Sequence, residues 1–274
     1  MPKHIQLGLL ATSLLLAACG SDDASLAGGD DPVIRPPIPV PTKISGVWTG
    51  TTRDSSQGLT ADETILIFTT GDGVIRIVAL EFAIQARGSF DLEGVADDFK
   101  GTAEFTADLI AFAPQGFFFG DNTVTVDCAA NVTVVGKQTL DGTYDCKDSD
   151  SNRGVFSTTY SDANDTLASA EIVSGTWNSE DQSLVLSVDE AGRILGTLQL
   201  PNQVSCNWTG DVIPVPEDNL YSFNFSLAAE NCGSFAGNYV GLGTIIEIPN
   251  APDRLVFQAD SGRLILANEL FSNQ

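Results

Sequence analysis

The sequence predicts an all-β protein with two tandem small antiparallel modules, barrels or sandwiches, behind an N-terminal leader and a disordered tether. Three observations carry this. Apolar residues alternate with a period of two, as in LYSFNFSL, where Tyr221, Phe223, Phe225 and Leu227 share one face. TVTVDC repeats the pattern with Val124, Val126 and Cys128. Three segments, TILIFTTGDGVIRIVAL, SLVLSVDEAGRILGTLQL and RLVFQADSGRLILANEL, each read strand, short Asp/Gly turn, strand. Finally, a Gly-x-Trp element occurs twice, at Gly46-Val47-Trp48 and at Gly175-Thr176-Trp177, and each opens a run of strands.

The elements follow in chain order. Residues 1–18 read as an export signal, with Lys3 and His4 before the uncharged apolar run Ile5–Ala17. That run is shorter than the about 20 apolar residues a membrane-spanning helix needs. It ends in Leu16-Ala17-Ala18-Cys19, which resembles the lipobox of bacterial lipoproteins. The resemblance implies cleavage before Cys19, a diacylglycerol on its sulfur and an acyl chain on the new amino group. At ~0.8 kcal/mol per buried CH₂, several chains hold firmly to a bilayer. Gly20 follows where an aspartate often retains such proteins at the inner membrane. The class therefore implies the bacterial outer membrane, with the periplasmic or surface face left open. Residues 19–43 form the lipidated cysteine and an acidic, then proline-rich tether, GSDDASLAGGDDPVIRPPIPVPTK. It is expected to be extended, reaching roughly 70 Å at ~3.1 Å per residue. Module 1 is assigned to residues 44–165 and module 2 to 166–274, with the boundary in SDANDTLASAE.

Composition excludes several functions. The chain holds 13 Lys and Arg against 36 Asp and Glu, a formal net charge of −23. No nucleic acid is expected as a partner, because phosphates are neutralised by Lys and Arg. Excess carboxylates are expected to keep the protein soluble. His4 is the single histidine and Met1 the single methionine, and both leave with the signal. Histidine-based triads, two-histidine zinc motifs and His or Met haem ligation are then excluded.

Four cysteines remain after Cys19, and an exported chain meets an oxidising compartment. Of three connectivities, Cys128–Cys146 and Cys206–Cys232 are expected, because each keeps a pair within one half. Loop entropy gives ~3 kcal/mol or slightly more for each. A four-thiolate metal site would want close C-x-x-C spacing, which is missing.

The remaining candidates each have a plainer reading. DCKDSDSNRG offers Asp145, Asp148, Asp150 and Asn152 as calcium ligands. The EF-hand spacing fails, since Gly154 is seventh and Thr159 twelfth from Asp148, so a solvated loop is expected. Phe117-Phe118-Phe119, between Gly116 and Gly120, cannot all face one core. They form either an interaction patch or a strand buried on both faces or under a neighbouring module. The acidic pairs Asp62-Glu63, Asp97-Asp98, Glu180-Asp181 and Asp189-Glu190 suit glycosidase chemistry only if carboxylates from separate strands converge, since strand neighbours point to opposite faces. Trp48, Trp177 and Trp208 are expected to fill cores.

Gly46, Trp48, Gly175 and Trp177 resemble the opening of lipocalin-type barrels. The wider pattern of the second half (GTW, VSCNWTGDV, LYSFNFSL, ENC and GNYVGLG) resembles two-part bacterial envelope lipoproteins. That group implies β modules behind a lipid anchor and implies no reaction. The expected role is non-catalytic: binding or structural work at the outer membrane. Partners are the membrane through Cys19 and an envelope protein or small ligand, with no cofactor. A carrier of a small apolar ligand within one barrel and a carboxylate-based hydrolase are the alternatives. A carrier requires a lined, empty interior; a scaffold requires filled cores.

Overall fold

The structure is a computed structural model that describes residues 44–54, 62–79, 84–95, 98–109, 118–119, 124–147, 153–199, 205–262 and 265–273. Residues 1–43, where the export signal, the lipidated Cys19 and the tether are expected, lie outside the described residues. Both modules lie within one compact unit, Val40–Gln274.

The strands in chain order are β1 (Gly46–Asp54), β2 (Glu63–Thr69), β3 (Val74–Ala79), β4 (Ile84–Val95), β5 (Asp98–Leu109), β6 (Phe118–Phe119), β7 (Val124–Val135), β8 (Thr139–Cys146) and β9 (Arg153–Tyr160). Apart from β6, these close into an antiparallel barrel of eight strands, with β9 returning to pair with β1. A 3-10 turn (Asp162–Asp165) and α1 (Ala170–Val173) connect it to the second barrel. There follow β10 (Gly175–Asn178), β11 (Leu184–Val188), β12 (Arg193–Gln199), β13 (Ser205–Pro214), β14 (Tyr221–Leu227), α2 (Ala229–Cys232), β15 (Gly237–Ile246), β16 (Arg254–Asp260) and β17 (Ile265–Ser272). These strands also close, through β10 against β17. Closure leaves fewer bare strand edges than an open sheet does.

The duplication seen in Gly-x-Trp is reproduced in geometry. Gly46 has φ +135° and Gly175 φ +130°, a conformation other residues rarely adopt. Each tryptophan is buried and its indole N–H donates to the carbonyl four residues earlier: Trp48 to Ile44 at 3.2 Å, Trp177 to Val173 at 2.8 Å. The disulfides do not share this symmetry. Cys128–Cys146 joins facing residues of adjacent strands β7 and β8, whereas Cys206–Cys232 ties β13 to α2. Both pairings are those expected.

All three hairpins form: β2–β3, β11–β12 and β16–β17. Their turns use Gly73, Gly192 and Gly262, with φ of +87°, +79° and +80°. The Asp189 carboxylate caps one turn by accepting from the N–H groups of Ala191 and Arg193, each at 2.9 Å.

Each barrel has an apolar core cluster among the described residues. In the second, Trp208 stacks on Phe225 at 4.7 Å between centroids, Phe225 on Tyr239 at 5.4 Å, and Phe223 on Phe257 at 5.2 Å. Such ring pairs add to plain area burial. The first barrel is packed by Trp48, Ile65, Ile67, Ile75, Val132, Val134, Leu140 and Phe156. Close strand coiling is possible where side chains are missing: a Cβ on Gly241 would lie 2.1 Å from the Gln258 carbonyl oxygen.

A third cluster joins the barrels. Strand β11 alternates buried and open positions, but β2 and β16 are buried along almost their whole length. Ile65 and Ile67 face the first core, while Leu66 and Phe68 face outward with Val47 and Val78. These meet Leu220, Leu242, Val256 and Ala267 of the second barrel. A run apolar at every position is a strand covered on both faces.

Candidate functional site

Where the barrels meet, polar residues surround the apolar seam. Arg76 of β3 and Arg87 of β4 stand opposite one another in register, an unfavourable like-charge pair by itself. Asp260, at the turn end of β16, accepts from both guanidinium groups. The Arg87 guanidinium also donates to the Gly262 carbonyl at 3.2 Å. Deeper in, Gln258 donates to the Ile77 carbonyl at 2.6 Å and to Gln85 Oε1 at 3.1 Å, and Gln85 donates to the Ala79 carbonyl at 3.1 Å. Among the described residues Gln258 Oε1 and Arg76 Nε are buried without a partner.

The connector between barrels is stitched to both. Asn164 acts as a strand residue toward β1: its Oδ1 accepts from the Val47 N–H and its Nδ2 donates to the Val47 carbonyl, both at 2.8 Å. Asn219, buried in the β13–β14 turn, donates to the Ala163 carbonyl at 2.6 Å and the Ile245 carbonyl at 3.1 Å. The Tyr221 hydroxyl donates to the Ser169 carbonyl at 3.2 Å, and burial raises its pKa. Ser45 donates to Asp218 at 3.0 Å. Desolvation raises the Asp218 pKa; the Ser45 hydroxyl and the charge of Lys137 oppose this without cancelling it.

These segments enclose a groove of about 470 Å³, within the size range of small-molecule sites. Its walls are Thr49 from β1, Thr159 and Tyr160 from β9, the connector residues Ser161, Asp162 and Thr166, and Ile245, Ile246 and Glu247 at the end of β15. Hydroxyls and two carboxylates therefore meet a small apolar floor. The Tyr160 ring is held edge-on by Trp48, with centroids 5.1 Å apart, and Lys137 Nζ lies 4.9 Å from its centroid. The first core thus positions a wall of the groove.

The residues singled out from sequence do not gather there. Cys19, Phe117, Asp148, Asp150 and Asn152 lie outside the described residues. Asp145 is exposed at the end of β8 and pairs with Arg153 at 3.3 Å. Phe118 and Phe119 are registered with Ala267 and Leu266 of β17, in the second barrel. The acidic pairs are dispersed. Asp62 pairs with Arg53 at 2.7 Å. Asp181 accepts from the Ser179 and Ser183 hydroxyls at 2.6 and 2.7 Å, within a turn. Desolvation pushes Asp181 up, but these hydroxyls and the Ser183 and Asp181 N–H groups outweigh it, so the net shift is downward. Trp48, Trp177 and Trp208 are core residues, as expected. Sequence reasoning missed Arg76, Gln258, Asp260, Asp162 and Glu247. One signal was present for Gln258, a lone amide inside the apolar run RLVFQA.

No family model matches the chain, and no curated protein matches it. A solved structure, Aeromonas veronii immune modulator A, is similar over 82% of this chain and 93% of that one, with 11% identity and a TM-score of 0.36. At that score the likeness does not bear on function.

Proposed function

We propose that this is a lipid-anchored protein of the bacterial outer membrane with a non-catalytic binding or structural role, and that the groove at the barrel seam is its binding surface. The observation that carries the binding site is its location. The described core clusters of both barrels are aromatic and aliphatic, while the groove lies outside these clusters and is lined by hydroxyls and carboxylates. Such a lining favours a small polar ligand over the apolar cargo of a lipocalin-type carrier. The anchor reading is supported by Leu16-Ala17-Ala18-Cys19 and the tether that follows.

Three measurements test the proposal. Mass spectrometry of the purified protein is expected to find Cys19 as the first residue, carrying acyl chains, and Cys19→Ser is expected to move the protein out of the membrane fraction. A bare thiol or a retained leader rejects the anchor. Titration with a fluorescent fatty-acid analogue is expected to show no saturable uptake, whereas one-to-one uptake favours the carrier. Asp162 and Glu247 in one groove favour a second reading, a carboxylate-based hydrolase. It requires glycoside hydrolysis that Asp162→Asn or Glu247→Gln abolishes.

A further inference from the structure

The groove at the barrel seam is rich in acceptors and short of free donors. None of its lining residues is Lys, Arg or His. The main-chain N–H groups around it are spent inside the fold: Tyr160 on the Gln138 carbonyl at 3.0 Å, Ser161 on the Val47 carbonyl at 2.9 Å and Thr166 on the Ala163 carbonyl at 3.3 Å. The Ala163 N–H is spent on the Ser161 hydroxyl oxygen at 3.2 Å. Asn219 also lines the groove and is 3% exposed. Its Nδ2 faces two carbonyls, of Ala163 and Ile245, which fixes the orientation of the amide. Its Oδ1 accepts no hydrogen bond among the described residues, although the side chain is almost wholly buried. The groove adds the carboxylates of Asp162 and Glu247. The Glu247 charge is felt within the second barrel: burial raises the Tyr221 pKa, and this carboxylate adds to the rise.

We propose that the groove binds an alkylammonium ion, a small amine or diamine whose charged N–H groups meet Asp162, Glu247 and the Asn219 Oδ1. This rests on the reading of the groove as the binding surface and names the chemistry of its ligand. An ammonium group donates and has no acceptor, which is the complement of such a lining. Hydrogen bonds to ionised groups are the stronger ones. The Tyr160 wall suits the same group, since its ring already attracts the chain's own Lys137 ammonium, 4.9 Å from the centroid. Ala163, Ile245 and Ile246 offer apolar surface to a short methylene stem. An anion would find no Lys or Arg in the lining, on a chain of net charge −23. A bare metal ion fits less well. The groove, about 470 Å³, far exceeds the roughly 30 Å³ of one water. Among the described residues no group of three or more His, Cys, Asp or Glu side chains could hold a metal.

The test is isothermal titration calorimetry of the full chain with 1,4-diaminobutane, beside two probes of the same chain length, uncharged 1,4-butanediol and dianionic succinate. Saturable one-to-one binding of the diamine is expected, matched by neither of the other probes. Glu247→Gln and Asp162→Asn, both at exposed positions, are each expected to weaken it about tenfold or more, as losing a charge-assisted bond does. Glu190→Gln removes one charge from the exposed β11–β12 turn, outside the groove. It is expected to change the affinity by less than about twofold, because salt screens distant charges. Equal weakening by all three variants would mean diffuse attraction to an acidic surface and overturns the proposal. Displacement of the diamine by calcium at equal concentration overturns it too. Amide NMR shifts separate this inference from the reading of the groove. The diamine is expected to move signals of residues 159–166 and 245–247. If butanediol or succinate moves them and the diamine does not, the groove remains a binding surface and the cation is wrong. If no probe moves them, both readings fall.

Discussion

Asp218 shows how one side chain couples the seam to pH. It is buried, accepts from Ser45, and has its pKa raised by desolvation. In the unfolded chain it titrates in the ordinary carboxylate range. Between that range and its raised folded value the folded state holds more protons. Its contribution to stability is therefore full below the unfolded pKa and is lost as pH rises through the folded one. Asp218→Asn keeps an acceptor for Ser45 and carries no charge to desolvate. Urea unfolding across pH is expected to show the variant matching the native protein in acid and exceeding it progressively as pH rises through that window. A constant difference at all pH values would show that burial of this carboxylate does not govern the slope. Asp181 has the opposite sign. Its pKa is lowered in the fold, so its contribution is present above the ordinary carboxylate range and lost as pH falls.

Among the strands, closure depends on glycines that let them bend and cross closely. Gly241 faces the Gln258 carbonyl oxygen and Ala259 across the β15–β16 pair. A methyl group there would push against the backbone of β16 and the Ala259 methyl. Gly241→Ala is expected to cost about 1–3 kcal/mol, as overpacking does, measured by urea unfolding. The same change at Gly175 meets no neighbour within 4 Å, but φ is +130° there, so its cost is conformational alone. The strand patterns are legible in the residue order. LYSFNFSL predicts one face for Tyr221, Phe223, Phe225 and Leu227, and all four are buried in β14. The repeated Gly-x-Trp predicts a duplication, and it is seen in matching φ angles and indole hydrogen bonds. The Phe triplet is ambiguous because three successive phenylalanines exceed what one face can take, and the periodicity names no partner strand.

Taken whole, the two barrels fall in one compact unit, and each presents an apolar outer face to the other. Phe68, 0% exposed, belongs to the seam cluster rather than to either barrel core. Phe68→Ala is expected to cost about 3–5 kcal/mol and to split one calorimetric transition into two. Asp260→Asn is expected to cost roughly 3 kcal/mol, the lower end for breaking a buried pair, because Arg76 and Arg87 then face each other without their shared carboxylate. A single unchanged transition in both variants would mean that the seam does not couple the barrels. The order of amino acids was enough to indicate the all-β class, three hairpins, the repeated opening and the pairing of cysteines within halves. These depend on neighbours a few residues apart or on which side of a strand a side chain stands. Packing in three dimensions was needed to settle what covers the second apolar face of β2 and β16, where the groove opens, and which strand edge receives Phe118 and Phe119. A both-sided apolar run reports that its outer face must be buried, but the surface that buries it is chosen by shape and charge far away in the chain.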